Sequence, residues 1–565
     1  MKKALFTLLL AVAVMAAMPM TVSAQGKSPA KVETVNGVKR LVQDGKPFLM
    51  LSGEFLNSSS STRRTIESSF KCAKQMGMNA VIASISWEQI EPEEGKFDFT
   101  QIDNIIDMAE KYDLRVTMIW FATWKNGESS YPPLWVKAND SKYFRTKDSN
   151  GKSTTTISPV CTAAMKADIK AFREVMKYVR AHDKNYRICA VQVENEVGSF
   201  VDIDHSKQAQ KVYEGKVPAE LTAYLSTHEL SELSEIAWKE NGKKMSGTWK
   251  EVFGDGDYGK QIFMTWHFAS YLNEVAKAGK EEYDLPMFAN CWMAAKDADH
   301  ANYPNGGPRP CVIDIYKAAA PALDWVSPDM YNTNYTSVFG SYTREDNPLF
   351  IPEISTGVTP PAYLAFGEYN AQCYAPFGFE QVHNNKQFVG EYKTLGALLP
   401  LISEYQGTGK MHGFLRMRTD EEDGTCDFKL GKYTFTVHFI KGERSAHGIA
   451  IQTGEDEFIV AGVGAYITFS TDKPGMTTKV GYAEEIEFDK DGNESTLFVL
   501  NGDETECHNM LYLRGIVEHP TLDEDGMYVE GPIWRPSALV INGRNTLGAF
   551  KYSGIYRIKL YSYKD

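Results

Sequence analysis

The sequence lacks most of the features on which metal, cofactor and nucleic-acid chemistry depend. Its eight cysteines are scattered, with no CxxC pair and no histidines at the spacing of zinc ligands. No glycine-rich phosphate loop follows the first apolar run, and no GxSxG motif of a serine hydrolase occurs. The formal net charge of -13 disfavours binding to nucleic acid or to an anionic membrane surface. We therefore expect no metal, no cofactor and no nucleic-acid partner.

Long apolar runs are missing after the N-terminus. Residues 1–24 combine Lys2 and Lys3, an apolar run and the small residues Val22-Ser23-Ala24, which is typical of a secretory signal peptide. No later run reaches the roughly 18 to 20 apolar residues that a membrane-spanning helix needs. We expect a periplasmic or extracellular protein without membrane insertion, and its oligomeric state is left open.

Export permits disulfide bonds without requiring them. Cys189 and Cys291 lie in apolar runs and are expected to be buried thiols. Cys426 and Cys507 are the pair that we consider for a bridge.

The chain of 565 residues, of which 43% are hydrophobic, is long enough for one large domain and at least one smaller domain. From about residue 35 to 405, eight short apolar runs alternate with amphipathic stretches, a pattern typical of parallel strands joined by helices. The eight runs are Phe48–Leu51, Asn79–Ala83, Arg115–Trp120, Ile188–Val193, Pro286–Ala289, Trp325–Pro328, Leu349–Pro352 and a weaker one around Gln372–Phe377.

Eight such units predict a (β/α)8 TIM barrel over residues 35–405, with its chemistry at the C-terminal ends of the strands. A doubly wound open sheet is the alternative, but it loses its usual ligand because the phosphate loop is missing. After residue 406 the pattern changes to alternation and turns, as in Tyr433–Phe439, Asp491-Gly492-Asn493 and Asn542-Gly543. Residues 406–565 therefore read as a C-terminal all-β, sandwich-like domain.

Two carboxylates end apolar strands in this barrel. Glu196 closes Val191–Glu196 after the fourth strand, and Glu353 closes the seventh. Strand alternation would put Gln192, Glu194 and Glu196 on the same side, facing the barrel interior or its mouth. Hydrolysis of a glycosidic bond with retention needs one protonated and one ionised carboxyl group. We predict Glu196 as general acid/base and Glu353 as nucleophile, and Glu194 as a buried group that supports them.

These residues resemble motifs of the retaining clan of barrel glycosidases whose acid/base follows Asn, above all the family 35 β-galactosidases and the neighbouring family 42. Val193–Gly198 is similar to the acid/base motif, Ile351-Pro352-Glu353 to the nucleophile strand, and Trp87–Phe99 to the segment after the second strand. The resemblance covers residues 40 to 400 and implies an exo-acting β-galactosidase. It also implies that the C-terminal part is an accessory domain of unknown role.

Because of two departures from the family pattern, the sugar that the enzyme recognises could differ from galactose. Family 35 usually has Asn after the Trp and His before the Glu-Pro, where this chain has Glu88 and Ile90. After the third strand the family has a sugar-binding glutamate, where this chain reads Trp120–Gly127.

The substrate-binding residues expected from the strand ends and the resemblance are, in chain order, Trp87, Glu88, Trp120, Trp124, Asn195, Trp292 and Tyr331. Tyr331 resembles the tyrosine of the clan that hydrogen-bonds the nucleophile, and the tryptophans are candidates for stacking on a sugar. His267 and His383 have no partner at a useful spacing and are expected to be structural. Rival functions are a retaining β-glycosidase of other specificity, a transglycosidase and a glycan-binding barrel without activity.

Overall fold

Each of the eight apolar runs forms one strand of a parallel sheet. The computed structural model of the protein describes residues 27–417, 424–443, 445–489, 492–515 and 552–565. The predicted signal peptide, the Asn542-Gly543 turn and Asp491 of the predicted Asp491-Gly492-Asn493 turn lie outside the described residues. The barrel strands are β1 (Met50–Leu51), β2 (Ala80–Ser86), β3 (Arg115–Lys125), β4 (Ile188–Asn195), β5 (Met287–Trp292), β6 (Trp325–Met330), β7 (Phe350–Ile354) and β8 (Cys373–Pro376).

The sheet closes on itself between its first and second strands. Its order is β1-β8-β7-β6-β5-β4-β3-β2, with parallel pairing throughout. Closure comes from a parallel bridge between Glu54 and Ile82, where the Ile82 amide donates to Gly53 O at 2.9 Å. The predicted (β/α)8 barrel is confirmed, because a closed sheet leaves no edge open to a doubly wound alternative.

One main helix follows each strand and covers the outside of the barrel. These helices are α1 (Arg63–Gln75), α2 (Thr100–Tyr112), α3 (Thr162–His182), α4 (Asp257–Glu282), α5 (Ile313–Ala319), α6 (Tyr335–Tyr342), α7 (Pro361–Gly367) and α8 (Lys386–Tyr405). In α2 the apolar side chains of Ile102, Ile105 and Ala109 are buried at three- and four-residue spacing. The sequence periodicity therefore identifies the face that packs on the sheet.

Two additions frame the barrel that the sequence pattern did not reveal. The strands Lys31–Val35, Val38–Gln43 and Lys46–Pro47 form an antiparallel sheet before β1. Its residue Leu41 packs with Met50 and Phe288 in the cluster that fills the barrel interior, so this sheet closes the N-terminal end. A hairpin of Arg145–Lys147 and Ser153–Ile157 lies in the connection after β3.

The polar segment Ser206–Met245, which the sequence places as an insertion after the fourth strand, forms short helical pieces. They are Lys207–Tyr213, Ala219–Leu225, Glu232–Ser234 and Glu235–Lys239, followed by Trp249–Phe253 before α4. No helix within the described ranges has the length and apolar character needed to cross a membrane.

The C-terminal part is an antiparallel sheet, as the alternating pattern predicts. Its strands are β9 (Met411–Leu415), β10 (Thr425–Leu430), β11 (Tyr433–Phe439), β12 (His447–Gln452), β13 (Glu457–Thr471), β14 (Met476–Phe488), β15 (Glu494–Val499), β16 (Met510–Arg514) and β17 (Gly554–Lys564). The long strand β13 pairs with β12 and β17 in its first half and with β11 and β16 in its second half. The pairing shifts register around Gly464, whose φ of +76° only glycine adopts easily.

The C-terminal sheet docks on the last two helices of the barrel through a buried polar group. Glu391 of α8 accepts from the hydroxyl of Tyr363 on α7 at 2.6 Å and from the amide of Ser553 at 3.0 Å. The Nε2 atom of His447 on β12 lies 3.3 Å from the same carboxylate. Glu391, His447 and Ser553 are all fully buried, so the two parts of the chain share a sealed interface.

All eight cysteines lie in the described ranges, and none of them forms a disulfide bond. Cys189 and Cys291 are buried thiols, as expected. The bridge considered between Cys426 and Cys507 is not formed, and Cys507 is exposed.

Candidate active site

Glu353 lies on β7 at the C-terminal end of the barrel. Its neighbour across the sheet is Asp329 on β6. The hydroxyl of Tyr331, just after β6, donates to Oε1 of Glu353. Burial raises the pKa of Glu353, while the charge of Lys125 and the hydrogen bond from Tyr331 oppose that rise. This environment favours the ionised form more than burial alone would allow.

Glu196 follows β4 and is held by its backbone on two sides. Its amide donates to Oδ1 of Asn290 at 2.9 Å, and its carbonyl accepts from the amide of Gly127 at 3.0 Å. Its φ of +45° is uncommon for a residue with a side chain, and such strain persists only where the surroundings enforce it. Burial, followed by the charge of Glu353, raises the pKa of Glu196 to about 7.

A tight turn at the end of β3 places a cation near these carboxyl groups. Asn126 and Gly127 both have positive φ, and Lys125 bridges to Glu128, which is the geometry that an Asn-Gly pair favours in a hairpin. Lys125 Nζ donates to Oδ1 of Asn126 at 2.6 Å, and the same oxygen accepts from Nδ2 of Asn195 at 3.1 Å. The turn therefore connects Lys125 to the strand that carries Glu196.

Glu194 does not share the side of the strand on which Glu196 lies. Its carboxylate accepts from the backbone amides of Thr123 at 2.9 Å and Trp124 at 2.7 Å, and Asp168 of α3 is close enough to raise its pKa after burial. The positive φ of Glu194 and the register shift between Trp120 and Lys125 break the alternation on which the prediction rested. Glu194 therefore binds the backbone of β3 next to α3, and its contacts are those of a structural residue.

Two buried polar residues, Asn290 and Asp329, connect the ends of β4, β5 and β6. The side-chain amide of Asn290 on β5 donates to Asn195 Oδ1 at 3.0 Å and to Asp329 Oδ2 at 2.7 Å. Burial and the charges of Glu353 and Glu196 raise the pKa of Asp329 well above its usual value. These bonds fix the relative positions of β4, β5 and β6.

A cavity of about 510 Å³ opens at this end of the barrel. The acidic side chains in its wall are Glu196, Glu353 and Asp329. The other residues lining it are Asn57, Lys125, Asn126, Trp292, Met293, Tyr331, Asn332 and Phe377. A concave site with convergent carboxyl groups, one ammonium and three partly exposed aromatic rings has the composition of a sugar site.

The predicted site residues divide into three sets by position. Tyr331 and Trp292 line the cavity with 54% and 36% of their surfaces exposed. Asn195 is fully buried and does not line the cavity; its side chain bonds Asn126, which does, and Asn290.

The remaining predicted substrate-binding residues do not reach the cavity. Trp87, Trp120 and Trp124 are fully buried between sheet and helices, so they have no ring face open to a sugar. Glu88 pairs with Lys137 at 2.8 Å away from the cavity. Trp120 and Trp124 of β3 pack on Phe172 of α3 and Phe268 of α4. Trp87 and Glu88 belong to a short helix, Trp87–Ile90, that directly follows β2.

Sequence reasoning missed Glu54, Lys125, Asn126, Asn290 and Asp329. Asp329 and Glu54 follow apolar runs as Glu353 does, so the rule that identified Glu353 would also have found them. The Asn-Gly pair was a signal for the turn that holds Lys125. No sequence signal marks Asn290 as the amide that connects three strand ends.

His267 and His383 stay outside the cavity, as expected of structural histidines. His267 is buried against the rings of Trp249 and Phe263, and burial lowers its pKa to about 4. His383 bonds the carbonyl of Glu380 at the surface.

Comparison with known proteins agrees with this geometry over part of the chain. Residues 56–238 match the glycoside hydrolase family 42 domain described as "Beta-galactosidase". Residues 388–511 match a domain of unknown function (DUF5597) that begins within α8.

Two individual β-galactosidases also match part of the chain. The chain is 29% identical over 177 residues to a β-galactosidase of Xanthomonas manihotis, which covers 30% of this chain and 27% of that protein. It is 29% identical over 147 residues to β-galactosidase BbgII of Bifidobacterium bifidum, covering 25% of this chain and 20% of that protein. The matches thus span about a quarter of the length of these relatives.

Among solved structures, a cold-adapted β-galactosidase from Rahnella sp. R3 aligns with 16% identity and a TM-score of 0.43, over 64% of this chain and 57% of the other. The resemblance to β-galactosidases predicted from the motifs is confirmed by the sequence matches. Residues 56–238 are therefore similar to a β-galactosidase domain, and residues 388–511 are similar to a domain of unknown function.

Proposed function

We propose that the protein is a retaining, exo-acting β-glycosidase that hydrolyses terminal β-galactosides of oligosaccharides or polysaccharides. The observation that carries the proposal is the shared cavity of Glu196 and Glu353, at the ends of β4 and β7, with Tyr331 bonded to Glu353. The match of residues 56–238 to a β-galactosidase domain supports the same reaction class.

The two carboxyl groups have environments suited to different roles. Glu196, with a pKa of about 7, holds a proton near neutral pH and can deliver it to the leaving-group oxygen. Glu353, opposed by Lys125 and bonded by Tyr331, is the better candidate for the ionised group that attacks the anomeric carbon. Water then hydrolyses the glycosyl-enzyme while Glu196 removes the proton from that water.

The charge balance of the cavity favours a neutral sugar. Lys125 is the only cationic residue among those lining the described cavity, and an ionised Glu353 balances it. A uronic acid would add a second negative charge next to Glu196 and Asp329, which is unfavourable in a partly buried site. We therefore place the substrate among neutral pyranosides.

The test follows the stereochemistry of an aryl β-galactoside. Product anomers are observed by NMR directly after mixing, and a 2-deoxy-2-fluoro β-galactoside traps the intermediate for peptide mapping. We expect the β-anomer first and a label on the peptide containing Glu353, with Glu353→Ala as the unlabelled control. Initial release of the α-anomer, or a label on another residue, would contradict the mechanism.

Substrate specificity has its own test because family 35 has a sugar-binding glutamate after the third strand, where this chain reads Trp120–Gly127. A panel of aryl β-glycosides is compared by kcat/KM, since contacts with buried polar groups can discriminate between sugars by orders of magnitude. The galactoside is expected to be preferred, and preference for another neutral sugar would change the substrate and keep the mechanism.

Export to the periplasm or the extracellular space is also proposed, on residues 1–24 alone. Expression of the full chain with a C-terminal tag, followed by fractionation and N-terminal sequencing, tests it. We expect the mature protein to begin at Gln25.

A further inference from the structure

Oε2 of Glu353 is buried and accepts no hydrogen bond from an N–H or hydroxyl group in the described part of the chain. The other oxygen, Oε1, accepts from Tyr331. A buried carboxylate oxygen without a donor is costly, so such atoms in proteins usually have a partner. The group beside Oε2 should therefore be able to donate.

Glu54 is the carboxyl group next to Glu353. It lies just after β1, where its backbone bridges Ile82 on one side and Phe377 on the other. Its amide donates to the carbonyl of Pro376 at 3.0 Å, and its carbonyl accepts from Gly378 at 2.8 Å. In a barrel of this type, side chains from alternate strands share a layer, which places the ends of β1 and β7 at the same level.

The position of Glu54 is tightly constrained. A Cβ on the preceding Gly53 would lie 2.4 Å from the ring of Phe379, so the chain reaches Glu54 only through a residue without a side chain. Glu54 itself is only 3% exposed. Little water can therefore stabilise a charge on Glu54.

The charged groups that act on Glu54 come from three other strands. Glu353 of β7 and Glu196 after β4 disfavour a second negative charge, and Lys125 of β3 favours it. Burial and Glu353 dominate, so the pKa of Glu54 is raised well above its usual value. One lysine cannot balance two ionised carboxylates at this depth.

We propose that Glu54 is a positioning residue of the reaction, which as a neutral acid donates its O–H to Oε2 of Glu353 and holds that carboxylate ionised and oriented. This inference rests on the proposed function of Glu353 as the nucleophile. The bond occupies the buried oxygen, so that Oε1, the oxygen bonded by Tyr331, is the one that meets the sugar. Glu54 takes no part in proton transfer to the leaving group.

The sign of a pH shift separates a neutral Glu54 from an ionised one. The acid limb of kcat/KM reports the ionisation of Glu353 in the free enzyme. If Glu54 is a neutral donor, Glu54→Leu removes a bond to the ionised form and moves that limb up by about one pH unit. Glu54→Gln keeps an N–H donor at the same place and leaves the limb close to its wild-type position.

An ionised Glu54 would give the opposite result. Both substitutions would then remove a negative charge beside Glu353 and move the acid limb to lower pH, which would overturn the proposal. A rise in KM for both variants with an unchanged limb would also overturn it, because Glu54 would then bind the sugar. Glu54→Gln alone decides between the cases should Glu54→Leu not fold.

Infrared spectroscopy needs no substrate, so it tests the protonation of Glu54 independently of the proposed function. The difference spectrum between wild type and Glu54→Gln at neutral pH should contain the carbonyl band of a protonated carboxyl group. A carboxylate band in its place would overturn the proposal. If wild type cleaves no aryl glycoside while the protonated band is present, the proposed function fails and the proton on Glu54 stands.

Discussion

Two groups of ionisable side chains are buried in this molecule, and they differ in how their oxygen atoms are used. The junction group, Glu391 with His447, Tyr363 and Ser553, supplies both oxygens of its carboxylate with donors. In the cavity group, Glu54, Glu196, Asp329 and Glu353, one buried oxygen each of Glu353 and Asp329 accepts no N–H or hydroxyl from the described residues.

The difference separates a structural role from a reactive one. The junction group lies sealed between two parts of the chain, and each contact stabilises the fold. The cavity group places several carboxyl groups together with one lysine, an arrangement that raises pKa values and costs stability. A buried acceptor without an N–H or hydroxyl donor needs another partner, which for Oε2 of Glu353 is the proposed neutral carboxyl group of Glu54.

Removing a carboxylate should lower the stability of the fold at the junction group, and it should not do so at the cavity group. Because the pKa of Glu353 is raised on folding, the folded state binds its proton more tightly than the unfolded chain. The contribution of Glu353 to stability is present below its unfolded pKa and is lost as pH rises through its folded pKa. At neutral pH the ionised, buried Glu353 therefore lowers stability.

Glu353→Ala should have the largest effect on activity of any substitution considered. We expect kcat to fall by about 10⁴-fold or more, because the proposed nucleophile that forms the covalent intermediate is removed. The melting temperature should stay equal or rise, since a buried charge is removed and Tyr331, with 54% of its surface exposed, can bond water. Steady-state kinetics and calorimetry measure the two effects. A lower melting temperature would place Glu353 with the junction group.

The comparison also shows what sequence alone could predict. The eight strands and the C-terminal sheet follow from apolar periodicity, which is a local property of the chain. Glu353 follows from the rule that chemistry lies at strand ends. The pairing of Glu353 with Glu54 depends on barrel closure between β1 and its neighbours, which no local pattern encodes.

Glu194 and the tryptophans mark the limit of the alternation rule. A positive φ at Glu194 turns its side chain toward α3, and no residue pattern in Val193–Val197 predicts that conformation. Trp87, Trp120 and Trp124 are aromatic residues near strand ends, yet burial against helices decides their role. Composition gives the residue type, while the face is set by tertiary packing.

The two glutamates at the C-terminal end of β4, Glu194 on the strand and Glu196 just after it, provide the next test. Glu196→Ala should slow substrates with poor leaving groups by about 10²- to 10⁴-fold and activated aryl glycosides far less, because only the former need protonation. Glu194→Ala should show no such dependence on the leaving group, since its carboxylate bonds backbone amides and does not line the cavity. The measurement is kcat/KM against leaving-group pKa. A steeper dependence for Glu194→Ala would transfer the acid role to Glu194.

Glu391→Ala tests the junction group directly. Removal of this carboxylate leaves the hydroxyl of Tyr363 and the amide of Ser553 without their acceptor in a sealed interface, and we expect a loss of about 3 kcal/mol in the free energy of unfolding. The activity of the folded fraction should stay near that of wild type. Denaturant titration with parallel assays measures both quantities. A large fall in kcat at full folding would mean that the C-terminal sheet also controls the cavity.

Lys125→Met is predicted to have the smallest effect, and it tests the charge balance of the cavity group. Wild-type activity should fall as pH rises through about 7, because Glu196 must keep its proton. The charge of Lys125 lowers the pKa of both Glu353 and Glu196, so its removal raises both. The acid and alkaline limbs of kcat/KM should then move up together by about half to one pH unit.

Lys125→Arg, which keeps the charge, should restore both limbs. Lys137→Met, whose lysine pairs with Glu88 away from the cavity, serves as the matched control and should move neither. A uniform loss of kcat/KM with both limbs in place would mean that Lys125 binds the sugar and does not set the ionisation of the carboxyl groups.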